Sequence, residues 1–259
     1  MSPLNRLYIS VIPSLLAAMV YFGCTPRYTG YGPHFPPVEP DLKKIAILTP
    51  DFSTFEVSGG GIPEYREDWS ILGRNNLRLS LNEELTRHRF EGILVDSATL
   101  PFSTDTLRIF IKQVAGAIQH NLYGRNPFLC EINEFTYSTG SIADLCDHLE
   151  TDAALFVFGM DEKYSDLRVK TLEKEAELKT ARSACFSTLS LLLLGSATFV
   201  TYQAPRETTY LYCLLADRNG KIVWFKKYLK ADDADFLKLT DTQKLAKEIV
   251  NGLNRKMSQ

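Results

Sequence analysis

Three carboxylates, Glu64, Glu67 and Asp68, stand close together beside Tyr65, Arg66 and Trp69. Two acids held in unequal environments are the equipment of a hydrolase or transferase, one carboxyl protonated and the other ionised. Nearness in sequence sets neither separation nor environment, and a solvated start to a helix explains the acids more simply. The aromatic neighbours suggest another use, since exposed Tyr and Trp favour interfaces. Just upstream, Gly59, Gly60 and Gly61 offer backbone amides to an anion. They neither follow a strand nor open a helix directly, as a phosphate cradle does. The triplet therefore reads as a mobile turn, and with Tyr65 and Trp69 it makes a candidate partner-contact loop.

Histidine and cysteine spacing argues against a metal centre. The histidines are His34, His88, His120 and His148. Asp144 and His148 share a helical face and, with Asp147, make at most a weak metal corner, for which a surface ion pair is the simpler account. There is no C-x-x-C or paired Cys/His spacing, no G-x-S-x-G, H-E-x-x-H or G-x-x-x-x-G-K motif, and no dinucleotide fingerprint. No catalytic residue, metal or cofactor is therefore assigned. Downstream of Cys24 lie Cys130, Cys146, Cys185 and Cys213. In an exported chain an even count permits disulfides, and Cys130 with Cys146 is the favoured pair because the stretch between them is short and polar. The alternative is that all four are small buried apolar groups.

The N-terminus supplies the export reading. Residues Met1 to Arg6 carry one positive charge, Leu7 to Phe22 carry none, and Gly23-Cys24 follows. This is the order of a secretory signal. Its end resembles, in Gly23-Cys24, the site at which bacterial lipoproteins are cleaved and lipidated on cysteine. An uncleaved inner-membrane signal anchor is one alternative, since the run from Leu7 to Pro26 approaches the roughly 20 residues of a membrane-spanning helix, and plain secretion is the other. Residues 1–23 are thus expected to be signal, 24–40 a Pro- and Gly-rich tether, and 41–259 a single domain. In lipoproteins of this kind an Asp after the lipidated cysteine marks inner-membrane retention. Thr25 stands here instead, which by that resemblance implies an outer-membrane lipoprotein facing the periplasm.

The 259 residues, 45% hydrophobic and 23% charged with a formal net charge of -2, suit an ordinary globular α/β domain. The balance lacks the basic excess that nucleic-acid binding needs. Strands are expected at Lys43 to Thr49, Phe90 to Val95 and Ala153 to Phe158, the last closed by Gly159. DFSTFEVSGGGIPEY reads as a polar loop. Helices are expected over Trp69 to His88, from Leu107 to Leu122 with Ser103 or Thr104 as cap, from Ser141 to Leu149, and over Asp166 to Arg182. Thr208 to Ala216 and Lys221 to Leu229 flank an Asn-Gly turn as a hairpin, and Thr240 to Met257 closes the chain as a helix. The fold class is therefore α/β, a mixed sheet flanked by helices with a C-terminal hairpin and helix. From Ser183 to Pro205 no charged residue occurs. A core helix followed by a strand is the leading expectation there, with a subunit interface or membrane insertion as alternatives.

The order of KKIAILT, DAALFVFG and LYCLLADRNGKIVWF resembles the TolB amino-terminal-like α/β domain, which recurs in envelope lipoproteins including the curli secretion-channel family and activators of penicillin-binding proteins. The resemblance spans roughly Asp41 to Leu253 and rests on strands and a turn rather than catalytic residues. It implies a non-enzymatic assembly module, bound to a membrane through its lipid and to an envelope protein or its own copies. A hydrolase using Glu64 to Asp68 and a membrane-inserting secretion-channel component are the competing functions. Mass spectrometry of the mature N-terminus should find acyl chains on Cys24, and Cys24→Ser should abolish them. An unmodified residue 24 behind an intact signal would support the anchor instead.

Overall fold

The computed structural model describes residues 42–96, 100, 104–123, 137–194, 200–231 and 235–254. The signal, the tether, Cys24 and Cys130 lie outside these residues. The first strand, β1 (Lys44–Leu48), buries four of its five residues, as a continuous apolar run should. It is followed by β2 (Asp51–Val57), β3 (Pro63–Tyr65), α1 (Glu67–Arg87), β4 (Glu91–Val95), α2 (Asp105–Tyr123) and α3 (Ala143–Leu149). The chain then forms β5 (Ala153–Tyr164), α4 (Asp166–Leu194), the hairpin β6 (Glu207–Asp217) and β7 (Ile222–Ala231), and α5 (Leu239–Asn254).

Seven strands form one mixed sheet around β5. Along one edge β5 pairs antiparallel with β6 from Ala153↔Asp217 to Lys163↔Glu207. Its other edge is divided between two parallel partners, with Ile47 of β1 opposite Leu155 and Asp51 of β2 opposite Phe158. Four residues on the β1–β2 side thus match three on β5. The mismatch falls at Thr49-Pro50, where proline lacks the N–H that an unbroken ladder requires. β4 extends the sheet beyond β1, and β3 pairs antiparallel outside β2.

One sheet face is covered by α1 and α5, whose Leu77, Leu81, Leu85, Leu245, Ile249 and Leu253 meet Phe52, Leu211 and Trp224. The other is covered at one end by α2 and α3, with Ile111, Ala115, Ile118 and Leu145 over Ala46, Ala154, Phe156 and Leu214. The two covers account for the alternation of Leu155 and Val157 with Ala154 and Phe156 along β5.

Three expectations need correction. DFSTFEV is the strand β2 rather than a loop: Phe52 and Thr54 turn inward, while Asp51 and Glu56 find cationic partners in Lys112 and Arg66. The glycine triplet is correspondingly a hairpin turn, in which Gly61 N–H donates to the Ser58 carbonyl at 2.8 Å and Gly61 takes φ 81°. Gly159 does not close β5. A β-carbon there would lie 2.0 Å from the Tyr210 carbonyl oxygen, so glycine lets β6 approach closely. Finally, α4 passes Arg182 and reaches Leu194, a 29-residue helix about 44 Å long. Residues 200–205 form no strand. They return beside the helix, Tyr202 N–H donating to Thr180 Oγ1 at 3.0 Å and Val200 N–H to Ser183 Oγ at 3.1 Å.

Gly159→Ala should destabilise the domain by about 3 kcal/mol, because the added methyl forces β5 and β6 apart. An unchanged urea midpoint would rule out the close approach of these strands.

Candidate functional site

The ionisable side chains converge at the far end of the sheet face that carries α1 and α5. Register places Thr54, Asp161 and Thr209 side by side, and two residues further on Glu56, Lys163 and Glu207. The period of two puts both rows on the face that holds Phe52 and Leu211. Asp161 is fully buried; its Oδ1 accepts the Thr209 hydroxyl at 2.8 Å. Its Oδ2 and Thr54 Oγ1 have no hydrogen-bond partner among the described residues. Burial pushes the Asp161 carboxyl up to about 7, against the Thr209 hydrogen bond and Lys163, while Glu207 and Asp235 add to the rise.

Over these rows lies a charged cover. Lys163 Nζ pairs with Asp235 and lies 3.7 Å from Glu207, and Lys238 reaches Asp235 at 3.2 Å. Burial works against the Asp235 carboxylate, but the Lys163 hydrogen bond, the Leu237 N–H and Lys238 outweigh it and hold the group below its ordinary value. Arg66 grips Glu56 at 2.5 Å and stacks 4.0 Å from the centre of the Trp69 ring, which Lys163 approaches at 6.0 Å. The first turn of α1 is joined to β2: Arg66 N–H donates to the Thr54 carbonyl, and Thr54 N–H to Ser70 Oγ at 2.8 Å. This network is tightly built, and Asp161 at its centre has no exposed surface through which to meet a substrate.

The sequence candidates fare differently. Trp69 belongs to this cover, as its half-buried position shows. Glu64, Glu67 and Asp68 are exposed, Asp68 lying 3.5 Å from Arg66. They lie open to water rather than in the water-excluded setting that acid–base work by paired carboxylates favours. Gly59 sits against Leu167, Gly61 near Arg168, and Gly60 is open. Asp147 is paired with Arg218 rather than joined to His148 in a metal corner. Among the described residues no group of three or more His, Cys, Asp or Glu is placed to hold a metal. Cys146 and Cys213 are buried and Cys185 is exposed. Burial pushes the Cys213 thiol up to about 12. A cleft of about 20 Å³ at the Thr49-Pro50 break, between Arg108, Lys112 and Phe158, has room for little more than a water.

The second sheet face holds what sequence reasoning missed. Helix α2 reaches as far as Tyr212, whose hydroxyl donates to Gln119 and whose ring stacks on Phe158 at 5.3 Å. The next row, Met160–Tyr210–Leu229, extends past this cover. Met160 is 41% exposed and Leu229 51%. On the same face Phe55 meets Tyr65 edge-on at 5.8 Å, and Tyr65 is half exposed. The signal was present in the sequence as apolar residues at alternate positions of Phe158 and Met160, and of Tyr210 and Tyr212, but only register puts them in one patch.

No family model and no curated protein matches the chain. Among solved structures it is similar to a PelC dodecamer from Paraburkholderia phytofirmans, at 8% identity over 82% of this chain and 88% of that one, with a TM-score of 0.33. It is also similar to lipoprotein GNA1162 from Neisseria meningitidis, at 12% identity over 82% of this chain and 99% of that one, with a TM-score of 0.31. Likeness at this level carries no argument about function.

The raised Asp161 carboxyl has a defined consequence for stability. Between the unfolded value of 3.8 and the folded value of about 7, the folded state holds the proton that the unfolded chain has released. The stabilisation this gives is fully present below the unfolded value and falls as pH rises through the window, by a few kcal/mol in all. Asp161→Asn should remove that decline and leave the variant relatively more stable at pH 8. Parallel stability–pH curves for the two proteins would contradict the raised value.

Proposed function

We propose that the chain is a non-enzymatic bacterial envelope lipoprotein, tethered through Cys24, whose α/β domain binds an envelope protein or its own copies. The observation that carries the binding role is the open apolar row Met160–Tyr210–Leu229 with Phe55 and Tyr65 at its side. Exposed apolar side chains set side by side on a sheet are costly to leave in water and characteristic of a contact surface. The tethering role is supported by the uncharged run ending in Gly23-Cys24 and by the Pro- and Gly-rich stretch after it. Thr25 after the cysteine favours the outer membrane and a periplasm-facing domain.

The contact surface of this reading differs from the one first suggested by the glycine triplet. Gly59 to Gly61 shape the turn that joins β2 to β3, while Tyr65 lies at the margin of the open face. Trp69 is committed to Arg66 and Lys163. The partner surface is thus assigned to strands, which are held in place by the sheet and lose little freedom on binding.

Chemical crosslinking of the intact protein in its native membrane should yield a discrete oligomer or a single defined complex. Met160→Lys or Tyr210→Glu should abolish that species without lowering the melting temperature. A persistent monomer, or a complex indifferent to both substitutions, would count against this surface.

A further inference from the structure

Helix α1 is apolar on both of its sides. Inward, Leu77, Leu81 and Leu85 meet the sheet and α5. Outward, Asp68, Leu72, Asn75, Leu79 and Thr86 are all exposed, at steps of four, three, four and seven residues that keep them in one line. Ile71 stands beside that line, 46% exposed, with Leu72 at 45% and Leu79 at 54%. One exposed leucine is ordinary, but the outer face of a solvated helix carries polar groups, and here three large apolar side chains share about two turns. One flank of α1 is closed by α5 and the residues before it, through Asn76 to the Phe236 carbonyl, Ser80 to Thr242 and Gln243 to Glu83. No other helix packs closely on α1 among the described residues. Charge is confined to the ends of the line: Asp68 begins it, and Arg89 stands exposed just past the helix. Arg87, at the same end, is held by Glu83 and Glu84.

We propose that the outward face of α1 seats a second copy of this chain, the two α1 helices running antiparallel across a two-fold axis at Leu79. A two-fold contact uses one surface on both copies, so the surface must be complementary to itself. This line is. Leu79 meets its own equivalent, and Leu72 and Thr86, each seven residues from it, face one another. Asp68, eleven residues before Leu79, comes against Arg89, ten after it. A parallel pair would instead set Asp68 beside Asp68 and Arg89 beside Arg89, and would align the helix dipoles. The spacing of seven through Leu72, Leu79 and Thr86 is that of helices packed along their length. The contact lies on the opposite side of the sheet from Met160, Tyr210 and Leu229 and does not rest on the open row.

The full chain in a density-matched detergent should sediment at equilibrium as a dimer. Leu79→Glu should weaken that dimer about a hundredfold at an unchanged melting temperature, because an exposed residue is changed twice at the centre of the contact. Asp68→Arg and Arg89→Asp should each weaken it about fivefold, and the chain carrying both should recover, as exchanged charges at a rim do. Separately tagged chains with Leu72→Cys and with Thr86→Cys, both also carrying Cys130→Ser and Cys185→Ser, should join in a mixed disulfide in preference to either like pair. The dimer should survive Met160→Lys. With Leu79→Glu in place, crosslinking in the native membrane reads the open row alone, so the two surfaces are told apart. A monomer at every concentration, a dimer unweakened by Leu79→Glu, or disulfides formed chiefly between like chains would overturn the antiparallel contact. Self-association lost in Met160→Lys and kept in Leu79→Glu would assign it to the open row and overturn this proposal.

Discussion

Pairing along both edges of β5 is the constraint on which the rest of the molecule depends. Eleven of its twelve residues pair with β6 on one side without interruption, and β1 followed by β2 lies on the other. A strand inside a sheet has no free backbone donors or acceptors to be satisfied elsewhere, so its position is set before any side chain is considered. The single-residue mismatch at Thr49-Pro50 lets one nearly continuous stretch of chain supply both partners. It also leaves room for β4 beside β1 and for β3 beside β2. Close approach at Gly159 then keeps β6 in register beyond the point where apolar patterning fades.

That register explains how one sheet face can be oily at one end and ionic at the other. Phe52 and Leu211 lie among the leucines of α1 and α5, and Phe52 meets Phe236 at 4.4 Å between ring centres. One step further along the strands come Asp161 and Thr54, each with an oxygen unpaired among the described residues. An unmade hydrogen bond of this kind costs about 1–3 kcal/mol. Protonation of Asp161 avoids the larger cost of burying an ion, and in the cluster above it Lys163 and Lys238 balance Asp235 and Glu207. Arg66 over Trp69 closes the end of this network, tying the start of α1 to β2.

The opposite face is asymmetric for a simpler reason. Helices α2 and α3 cover the end of the sheet where β1, β4 and the first half of β5 lie, and they stop at the level of Phe158 and Tyr212. The strands do not stop there. Met160, Tyr210 and Leu229 continue the apolar side of the pleat into solvent. Helix α4 follows β5 directly and ends in twelve residues without a charge, Ser183 to Leu194.

Where the pattern of one segment alone decides its structure, the sequence was sufficient. The buried run KIAIL, the three-and-four spacing of Leu107 through Ile118, the Asn-Gly hairpin and the apolar face of Leu245 to Leu253 each lie close to where periodicity puts them. The α/β class follows from their order. Strand β2 was illegible because Asp, Ser, Thr and Glu make up most of it, and their partners Lys112, Arg66 and Ser70 come from other elements. The end of α4 was misread because charge stops at Arg182 while the helix, meeting no Pro or Gly before Gly195, does not. Asp161 and Met160 lie beyond Gly159, where the strand was expected to close. Only tertiary structure buried the one among threonines and joined the other to Tyr210 and Leu229. Burial and adjacency across a sheet are set by register between strands far apart in the chain, and a local period carries no information about that register.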